Sequence, residues 1–534
     1  MARTWTLASL TSVGLLATLH TGCGSNAEDC DLNPNLACYS GATSTGAGAA
    51  SSSASGTGGA SGTGGTGGAG GGTPAGCVPS EEANPIESSC GVFVSASAGD
   101  DADEGTQAKP KKTLQAALDA AKGKPVYACA EDFAEAVVLG GPVDLYGGLD
   151  CAAGWKYVGA AKKTRILAPA DAVGVTMQSD AALVADVRIE AASASTPGKS
   201  SVAVVANGGT LDLLRCDLVA NDGAPGAAGD TPTGTGTAGT NGLVGAIGCT
   251  GTSAVEGGES GQIDCGNGEF SFGGIGGKGT VNGGSASDGD VGDSLPALPN
   301  PAMNAGDGDG TANGCAPGTV GAEGAPGAPG AGAKGLGALD GTGYLGVSGT
   351  DGVSKGKPAQ GGGGGGGGRG MELCSPNAGP SGGGGGSGGC GGLPGKGGGA
   401  GGASIGLVSV GAKVTLTNVS ITTAKGGEGG KGSDGQPGGG GGGPALAGGS
   451  GACAGGPGGT GGRGGAAGGG LGGHSLGIAF TKDAPSEDGV TIAHGAAGAG
   501  GPGGDGGPSN QATLGDAGQA CNTLDFADVA SCMN

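Results

Sequence analysis

Short alternations of apolar and polar residues recur along the chain at fixed offsets. The stretch "SIGLVSVGAKVTLTNVSITTAKG" (404–426) alternates as half-buried β-strands do. Residues 404–429 align without a gap with residues 201–226 at an offset of 203. A further copy at 475–498 lies 71 residues on, and a looser copy at 172–193 lies about 29 residues before the first. The first two copies pair Val202/Ile405, Val204/Leu407, Leu211/Val414, Leu213/Leu416, Cys216/Val419 and Leu218/Ile421. Repetition of one strand-forming unit predicts successive coils of a solenoid.

The first glycine-poor part of the chain predicts a strand, a helix and three more strands. Val92, Val94 and their neighbours have the alternation of a short strand. Thr113 suits the N-cap of a helix, and one apolar stripe follows it, formed by Leu114, Ala117, Leu118 and Ala121. Gly123 and Pro125 end this helix. The later strands are predicted in "PVYACA", "EAVVL" and "VDLYGGLD".

This part resembles the N-terminal cap of right-handed parallel β-helix proteins, the pectate-lyase-like superfamily. The matching positions are Gly99, Asp100, Asp101, Gly105 and Thr106 in a turn, then Thr113, Leu114, Gln115, Ala117, Leu118 and Ala121 in a helix. Lys111 and Lys112 stand where an aromatic residue is usual. "VDLYGGLDCAAGW" is also similar to a Tyr-Gly-Gly-Phe turn of secreted β-helix proteins, with Leu149 in the Phe position. The resemblance covers about residues 91–222 and implies an all-β fold, a short right-handed parallel β-helix with an N-terminal capping helix.

Glycine, 141 of the 534 residues, is concentrated between the strand-forming stretches. The glycine-rich insertions occupy residues 223–402, 426–473 and 495–520, and each begins after the last strand of a coil. "GGPGGTGGRGGAAGGGLGG" (455–473) is similar to the Gly-Gly-x repeats of mycobacterial PE-PGRS proteins. Because glycine has no side chain to bury, these insertions cannot form an ordinary core. They are expected to be either disordered or packed as polyglycine-II-like extended chains.

The resulting organisation has seven segments after the N-terminal region. The first is a tether (40–76), and the second contains the β-helix cap and first rungs (77–222). The others are an insertion (223–402), a rung (403–425), an insertion (426–473), a rung (474–494) and a glycine-rich and C-terminal segment (495–534). The tether is rich in Gly, Ser and Thr, a composition typical of flexible linkers.

The N-terminus predicts export. Residues 1–22 have the layout of a secretory signal peptide, with Arg3 before a short apolar run. The ending "LHTGC" resembles a bacterial lipobox, although His20 stands where leucine is usual, and this implies that Cys23 is lipidated at the start of a cysteine-bearing segment (23–39). We expect a lipoprotein of the outer membrane or cell surface, held at the membrane by its N-terminal lipid; the alternative is a secreted protein.

The sixteen cysteines suit an oxidising compartment. Local pairs are expected for Cys30 with Cys38, Cys77 with Cys90, and Cys521 with Cys532, and Cys129 and Cys151 are further candidates for disulfides. Connectivity does not follow from sequence alone. No two cysteines form a close CxxC pair, so the spacing does not favour zinc.

The formal net charge of −22 argues against nucleic acid as a partner, because phosphate binding needs clustered Lys and Arg. Within "AGDGDGTANG", oxygen ligands from Asp307, Asp309 and Asn313 make a weak candidate for a Ca²⁺ site. The competing interpretation is a solvated acidic turn. No other cofactor is predicted, and an envelope or extracellular polysaccharide is the remaining candidate partner.

No catalytic motif is recognisable in the sequence, so no catalytic residue is predicted. His474 and His494 are expected to be surface residues rather than a metal or catalytic pair. The predicted rungs carry a few charged residues, which match no motif: Asp186, Arg188, Glu190, Asp212, Arg215 and Asp217. The sequence therefore favours a non-enzymatic structural or adhesive protein of the bacterial envelope. The alternative is a polysaccharide lyase or hydrolase, or a carbohydrate-binding β-helix, as the superfamily resemblance implies.

Overall fold

A computed structural model describes residues 74–81, 85–159, 161–250, 252–309, 314–370, 375–508, 510–528 and 532–533. In this part of the chain the regular structure is almost entirely β, with an α-helix, α1 (Leu114–Ala121), and a 3₁₀ turn at Ala75–Cys77. The predicted signal peptide, the tether up to residue 73, and Cys23, Cys30 and Cys38 lie outside the described residues.

Three sheets contain most of the strands. In order across the sheet, the first contains β1 (Val92–Val94), β2 (Val126–Cys129), β5 (Val143–Asp150), β9 (Ala181–Ala185), β12 (Thr210–Leu214), β22 (Lys413–Thr417) and β25 (Ser486–Asp488), with β6 (Lys156–Tyr157) beside β5. The second contains β26 (Thr491–Ala493), β23 (Ser420–Thr423), β13 (Asp217–Ala220), β10 (Val187–Ala191), β7 (Thr164–Ala168) and β3 (Asp132–Phe133). The third contains β28 (Cys532–Met533), β27 (Ala520–Asp525), β24 (Ser475–Thr481), β21 (Ser404–Val410), β11 (Ser201–Asn207), β8 (Val175–Met177) and β4 (Val137–Leu139).

The strands of these three sheets pair in parallel, except that β6 is antiparallel to β5 and β28 is antiparallel to β27. From β9 onward the chain passes from the first sheet to the second and then to the third, and repeats this order three more times. The register confirms the alignment made from sequence. Val202 pairs with Ile405, Leu211 with Val414 and Leu218 with Ile421.

The inward-facing side chains of the three sheets meet in one apolar core. Its members include Leu145, Ile189, Leu213 and Leu416, each almost fully buried. At the N-terminal end this core is covered by α1, whose residues Leu114, Ala117 and Ala121 are buried. The helix begins as predicted, with the Thr113 hydroxyl accepting a hydrogen bond from the Ala116 N–H.

Each connection from the first sheet to the second, from β9 onward, contains one residue with left-handed backbone. Asp186, Arg215, Asn418 and Gly489 occupy equivalent corners of four successive passages through the sheets, with φ of 58°, 51°, 55° and 65°. Few side chains tolerate this conformation, and glycine and asparagine tolerate it best. One or two residues connect the strands at this tight corner, and none of these connections carries an insertion.

The long glycine-rich segments all lie at another corner, between the second sheet and the third. They connect β13 to β21, β23 to β24 and β26 to β27, and comprise residues 221–403, 424–474 and 494–519. We call these three segments together the glycine-rich bundle. The first of them also contains small antiparallel pairings, among β14 (Ala254–Val255), β15 (Gln262–Gly266), β16 (Glu269–Phe272), β17 (Gly279–Thr280), β18 (Asp293–Leu295), β19 (Ala338–Asp340) and β20 (Gly343–Leu345).

Extended chains in the bundle are joined by backbone hydrogen bonds that recur every third residue. Along the buried run 361–368, the N–H groups of Gly362, Gly365 and Gly368 donate to the carbonyls of Gly386, Gly383 and Pro380. The N–H groups one position earlier donate to the chain 287–293, and those one position later donate to the chain 316–319. Their carbonyls accept from three more chains, at 274–280, 306–309 and 453–456. This run therefore has six hydrogen-bonded neighbours.

The spacing of glycine along each extended chain depends on how many neighbouring backbones pack closely against that chain. A Cβ on any residue of 361–368 would overlap a neighbouring backbone, so all of them are glycine. In "GGPGGTGGRGG" (455–465) two of every three positions meet backbone in this way, while Pro457 and Thr460 point outward. In "GTVGAEGAPGAPG" (318–330) only every third position does. Glycine is thus needed wherever two backbones approach closely.

In one chain of the bundle, the hydrogen-bond register with the neighbouring chain shifts by one residue. Gly226 and Gly229 donate to Glu428 and Lys431, whereas Gly236 and Gly239 donate to Pro437 and Gly440. The extra residue lies beside Gly234, whose φ is 75°. A left-handed glycine therefore restores the phase of the chain against its neighbours.

Candidate functional site

The outer surface of the glycine-rich bundle is the part of the molecule most distinct from an ordinary β protein. Glycine backbones fill much of its interior, and many of its larger side chains lie on the outside. Several aliphatic residues are highly exposed there: Leu243 (55%), Val244 (62%), Ile247 (66%), Leu446 (72%) and Val353 (71%). Exposed apolar side chains that cluster are typical of interaction surfaces.

The few polar side chains inside the bundle satisfy backbone groups. Gln360 is 1% exposed; its carbonyl oxygen accepts from the N–H groups of Ala302 and Ala322, and its amide donates to the carbonyls of Gly292 and Ala302. Ser387 is fully buried and accepts from the Thr240 N–H at 2.8 Å. Such side chains replace missing backbone partners, so the interior remains hydrogen-bonded.

Disulfides join distant parts of the bundle. Cys265 is bonded to Cys390 and Cys315 to Cys453, across sequence separations of 125 and 138. Three further disulfides join Cys77 to Cys90, Cys129 to Cys151 and Cys521 to Cys532. Cys216 is a buried, unpaired thiol, and burial raises its pKa to about 12, so it remains protonated.

The prediction that His474 lies on the surface is wrong. Its ring is fully buried where the three bundle segments meet the third sheet. The ring Nε2 bonds the Leu336 carbonyl at 2.8 Å, and Nδ1 accepts from the Gln519 N–H at 2.8 Å. Tyr344 and Phe526 contact the ring edge to face. His494 is exposed, as expected.

Burial lowers the pKa of His474, with the bond to the Leu336 carbonyl acting weakly in the opposite direction. An unfolded histidine titrates at about 6.5, so below that pH the unfolded chain binds a proton that the folded protein does not. Stability should therefore fall as pH decreases from about 6.5, by at most about 1.4 kcal/mol per pH unit.

Thermal unfolding between pH 7.5 and 5.0 checks this pH dependence, with His474→Asn as the reference. The wild-type midpoint must be compared with that of the variant because other groups also titrate. Burial raises the pKa of Glu487, for example, and this stabilises the fold as pH falls. We expect the wild-type midpoint to decline more steeply than that of the variant. If the unfolding midpoints of both proteins had the same dependence on pH, the protonation of His474 would not contribute to the loss of stability in acid.

The outer face of the second sheet carries a row of charged residues in register. Asp132, Arg165, Arg188 and Asp217 occupy successive paired positions across β3, β7, β10 and β13. Arg165 contacts Asp132 at 3.0 Å and Glu190 at 3.5 Å; Arg188 contacts Glu190 at 3.1 Å, and Lys163 contacts Asp217 at 2.6 Å. Each carboxylate of the row is thus held in an ion pair. Asp212 lies on β12 of the first sheet, separate from this row.

Two of the charged rung residues form a structural pair at the tight corner. Asp186 is 1% exposed, and Arg215 contacts both of its carboxylate oxygens, at 2.8 and 2.6 Å. The Tyr157 hydroxyl donates to the same carboxylate at 2.8 Å. The bond to Asp186 raises the pKa of Arg215, and burial followed by the same carboxylate raises the pKa of Tyr157. This network joins successive corners of the stack.

The weak Ca²⁺ candidate is only partly described. Asp309 contacts Arg369 at 3.5 Å, its carbonyl accepts from the Arg369 Nε at 2.9 Å, and Asp307 is exposed. Asn313 lies outside the described residues. Within the described ranges, no three His, Cys, Asp or Glu side chains are grouped so as to hold a metal ion. A calcium site here remains a prediction from sequence.

Comparison of the chain with family models, curated proteins and solved structures gives no match. Across the part of the chain that the structure describes, no helix is long and apolar enough to cross a membrane.

Proposed function

We propose that this protein is a non-enzymatic structural or adhesive component of the bacterial envelope, in which a parallel β-helix supports a polyglycine-II-like bundle. The repeated passage of the chain through three parallel sheets supports the β-helix, right-handed as in the superfamily that its N-terminal part resembles. The three-residue hydrogen-bond period supports polyglycine-II geometry, since a left-handed extended helix repeats every three residues.

The observation that carries the proposal is the lateral hydrogen bonding of the bundle. A chain with six hydrogen-bonded neighbours has neither side-chain freedom nor unpaired backbone in its interior. The two long-range disulfides add cross-links between its segments. The result is a stiff body whose outer face is free to vary in sequence, as a structural or adhesive surface requires.

An exposed location agrees with this role. Five described disulfides are typical of exported proteins. A lipid on Cys23 would anchor the chain at the outer membrane or cell surface, with residues 40–76 as the tether. The candidate partner is an envelope or extracellular polysaccharide.

Expression of the full chain in a bacterial host tests the proposal. We expect wild-type protein to partition into the detergent phase, to be cleaved by protease added to whole cells, and to increase cell attachment to a polysaccharide-coated surface. Cys23→Ala should move the protein to the aqueous phase and abolish the added attachment. Attachment that does not exceed that of cells lacking the protein would contradict the adhesive role. Release of oligosaccharides from polyuronates by purified protein would instead support the lyase or hydrolase alternative.

A further inference from the structure

Two phenylalanines of the glycine-rich bundle lie outside the apolar core. Phe270 and Phe272 are both partly exposed on β16, and neither belongs to a core cluster of the described residues. The other four phenylalanines of the chain pack in or against the core: Phe93, Phe133, Phe480 and Phe526. Aromatic residues make up only 2% of this sequence. Two of them side by side on the surface therefore indicate an interaction site, because aromatic side chains are enriched where proteins bind partners.

Both rings lie on the outward face of the small antiparallel sheet formed by β15, β16 and β18. They are nearly parallel, with an interplanar angle of 16° and centroids 5.9 Å apart. In the register of the sheet, Phe270 lies between Asp264 and Leu295, and Phe272 lies between Gln262 and Asp293. Cross-strand partners of this kind share one face, with their Cβ atoms about 4.5–5.5 Å apart. We call the six outward residues the aromatic face: Gln262, Asp264, Phe270, Phe272, Asp293 and Leu295.

The opposite face of this sheet fixes it to the bundle. Glu269 is buried and contacts Lys355 at 2.7 Å and Lys357 at 3.1 Å. A disulfide also joins Cys265 to Cys390. The sheet is thus held in place by contacts that do not involve the two phenylalanines. Their face is therefore presented on a rigid support, as a binding site requires.

Each ring of the aromatic face has a carboxylate beside it. Asp264 is the cross-strand partner of Phe270, and Asp293 is that of Phe272; both aspartates are exposed. One oxygen of each carboxylate accepts a backbone N–H one or two residues later, at 2.7 Å, which restricts its rotation. The face of an aromatic ring is negative and attracts cations. Since no Lys or Arg is among the six outward residues, the aromatic face is complementary in charge to ammonium groups.

The hydrogen-bonding groups of the aromatic face favour a glycan over a peptide. A bound peptide would bring one N–H and one C=O per residue, which need partners, whereas the outward face of a sheet offers only side chains. A sugar ring presents C–H groups on its faces and hydroxyls at its rim, which the amide of Gln262 and the carboxylates can bond. We propose that the aromatic face binds a polysaccharide that carries protonated amino groups, such as a glucosamine polymer. This inference rests on the proposed function, in which a polysaccharide is the partner.

Calorimetric titration of the purified full chain with a glucosamine hexasaccharide at pH 6.0 tests the proposal. A Kd on the order of 100 µM is expected, because exposed cation–π contacts and ion pairs are each weak. The neutral N-acetylated hexasaccharide should bind at least tenfold more weakly, and 500 mM NaCl should weaken the glucosamine complex. Equal binding of the two hexasaccharides, or tighter binding of hexalysine than of the glucosamine hexasaccharide, would overturn the proposal.

Matched variants locate the site. Phe272→Leu keeps an apolar side chain without the ring and should weaken binding at least fivefold, whereas Phe272→Tyr should change Kd less than twofold. The double variant Asp264→Asn, Asp293→Asn should also weaken binding at least fivefold. Asp483→Asn, Asp488→Asn removes the same charge from exposed positions of the β-helix and should have less than a twofold effect. All four proteins should keep the wild-type unfolding midpoint. Equal effects of the two double variants would show that net charge, rather than the aromatic face, attracts the ligand.

The attachment assay separates this site from the adhesive role. If cells with the wild-type protein attach to a polysaccharide-coated surface while the purified protein binds no glucosamine hexasaccharide, the aromatic face is not the glycan site and the adhesive role stands. If the purified protein binds the hexasaccharide but the cells do not attach, the site stands and the adhesive role fails. Loss of attachment to a glucosamine polymer in the Asp264→Asn, Asp293→Asn variant would support both.

Discussion

Replacing Gly366 by alanine should destabilise the protein by about 3–5 kcal/mol. The added Cβ would overlap the Asp307 carbonyl in the middle of the bundle. Overpacking against backbone costs about 1–3 kcal/mol, and displacement would weaken the bonds from the Gly366 N–H to Ala316 and from the Cys453 N–H to Gly366, at about 1 kcal/mol each. Denaturant midpoints of oxidised wild type and variant measure the loss.

Gly440→Ala is the matched control for this prediction, because it adds the same methyl group at an exposed position in another glycine run. Its effect should lie within about 0.5 kcal/mol of zero or be slightly stabilising, since alanine restricts the unfolded chain more than glycine does. If both variants unfold at the same midpoint as wild type, the interior of the bundle is not close-packed.

Replacing Arg215 by methionine should cost about 2–4 kcal/mol. Methionine keeps much of the packing volume but leaves the Asp186 carboxylate, 1% exposed, with Tyr157 as its remaining side-chain partner. Removing one partner of a buried ion pair costs about 3–5 kcal/mol, and the partial exposure of Arg215 reduces this value. Thermal or denaturant unfolding at neutral pH measures the change.

Two comparisons separate charge from packing at this corner. The double variant Asp186→Asn, Arg215→Met should recover part of the loss, because no unpaired carboxylate remains. Arg188→Met, which removes a partly exposed ion pair with Glu190, should cost less than about 1 kcal/mol. A double variant as unstable as the sum of its single changes would show that the pair is not coupled.

The repeat offsets were sufficient to predict the strand register over 200 residues of chain. Because the side chains of parallel strands stack on like side chains, the pairing of Val202 with Ile405 was already visible in the aligned sequences. The helix at Leu114–Ala121 followed from its N-cap and apolar stripe. Local rules and simple repetition were enough for these elements.

The surroundings of His474 could not be predicted in this way. Its partners, Leu336 and Gln519, come from two other bundle segments, 138 and 45 residues away in sequence. The disulfides of Cys265 and Cys315 were hidden for the same reason, since both pairs depend on how the bundle chains are arranged. A signal was nonetheless present in the spacing of glycine, which changes from one in three to every residue as a chain moves from the edge to the centre.

The three-residue period also restricts which changes in chain length the bundle can accommodate. Adding a triplet to adjacent bundle chains would lengthen the body by about 9 Å and keep every glycine against its neighbour. A single inserted residue would turn the side chains by a third of a turn into the adjacent backbones. Beside Gly234, one extra residue is accommodated through the left-handed backbone of this glycine. Natural length variants of the bundle should therefore differ by multiples of three residues, or carry a compensating glycine.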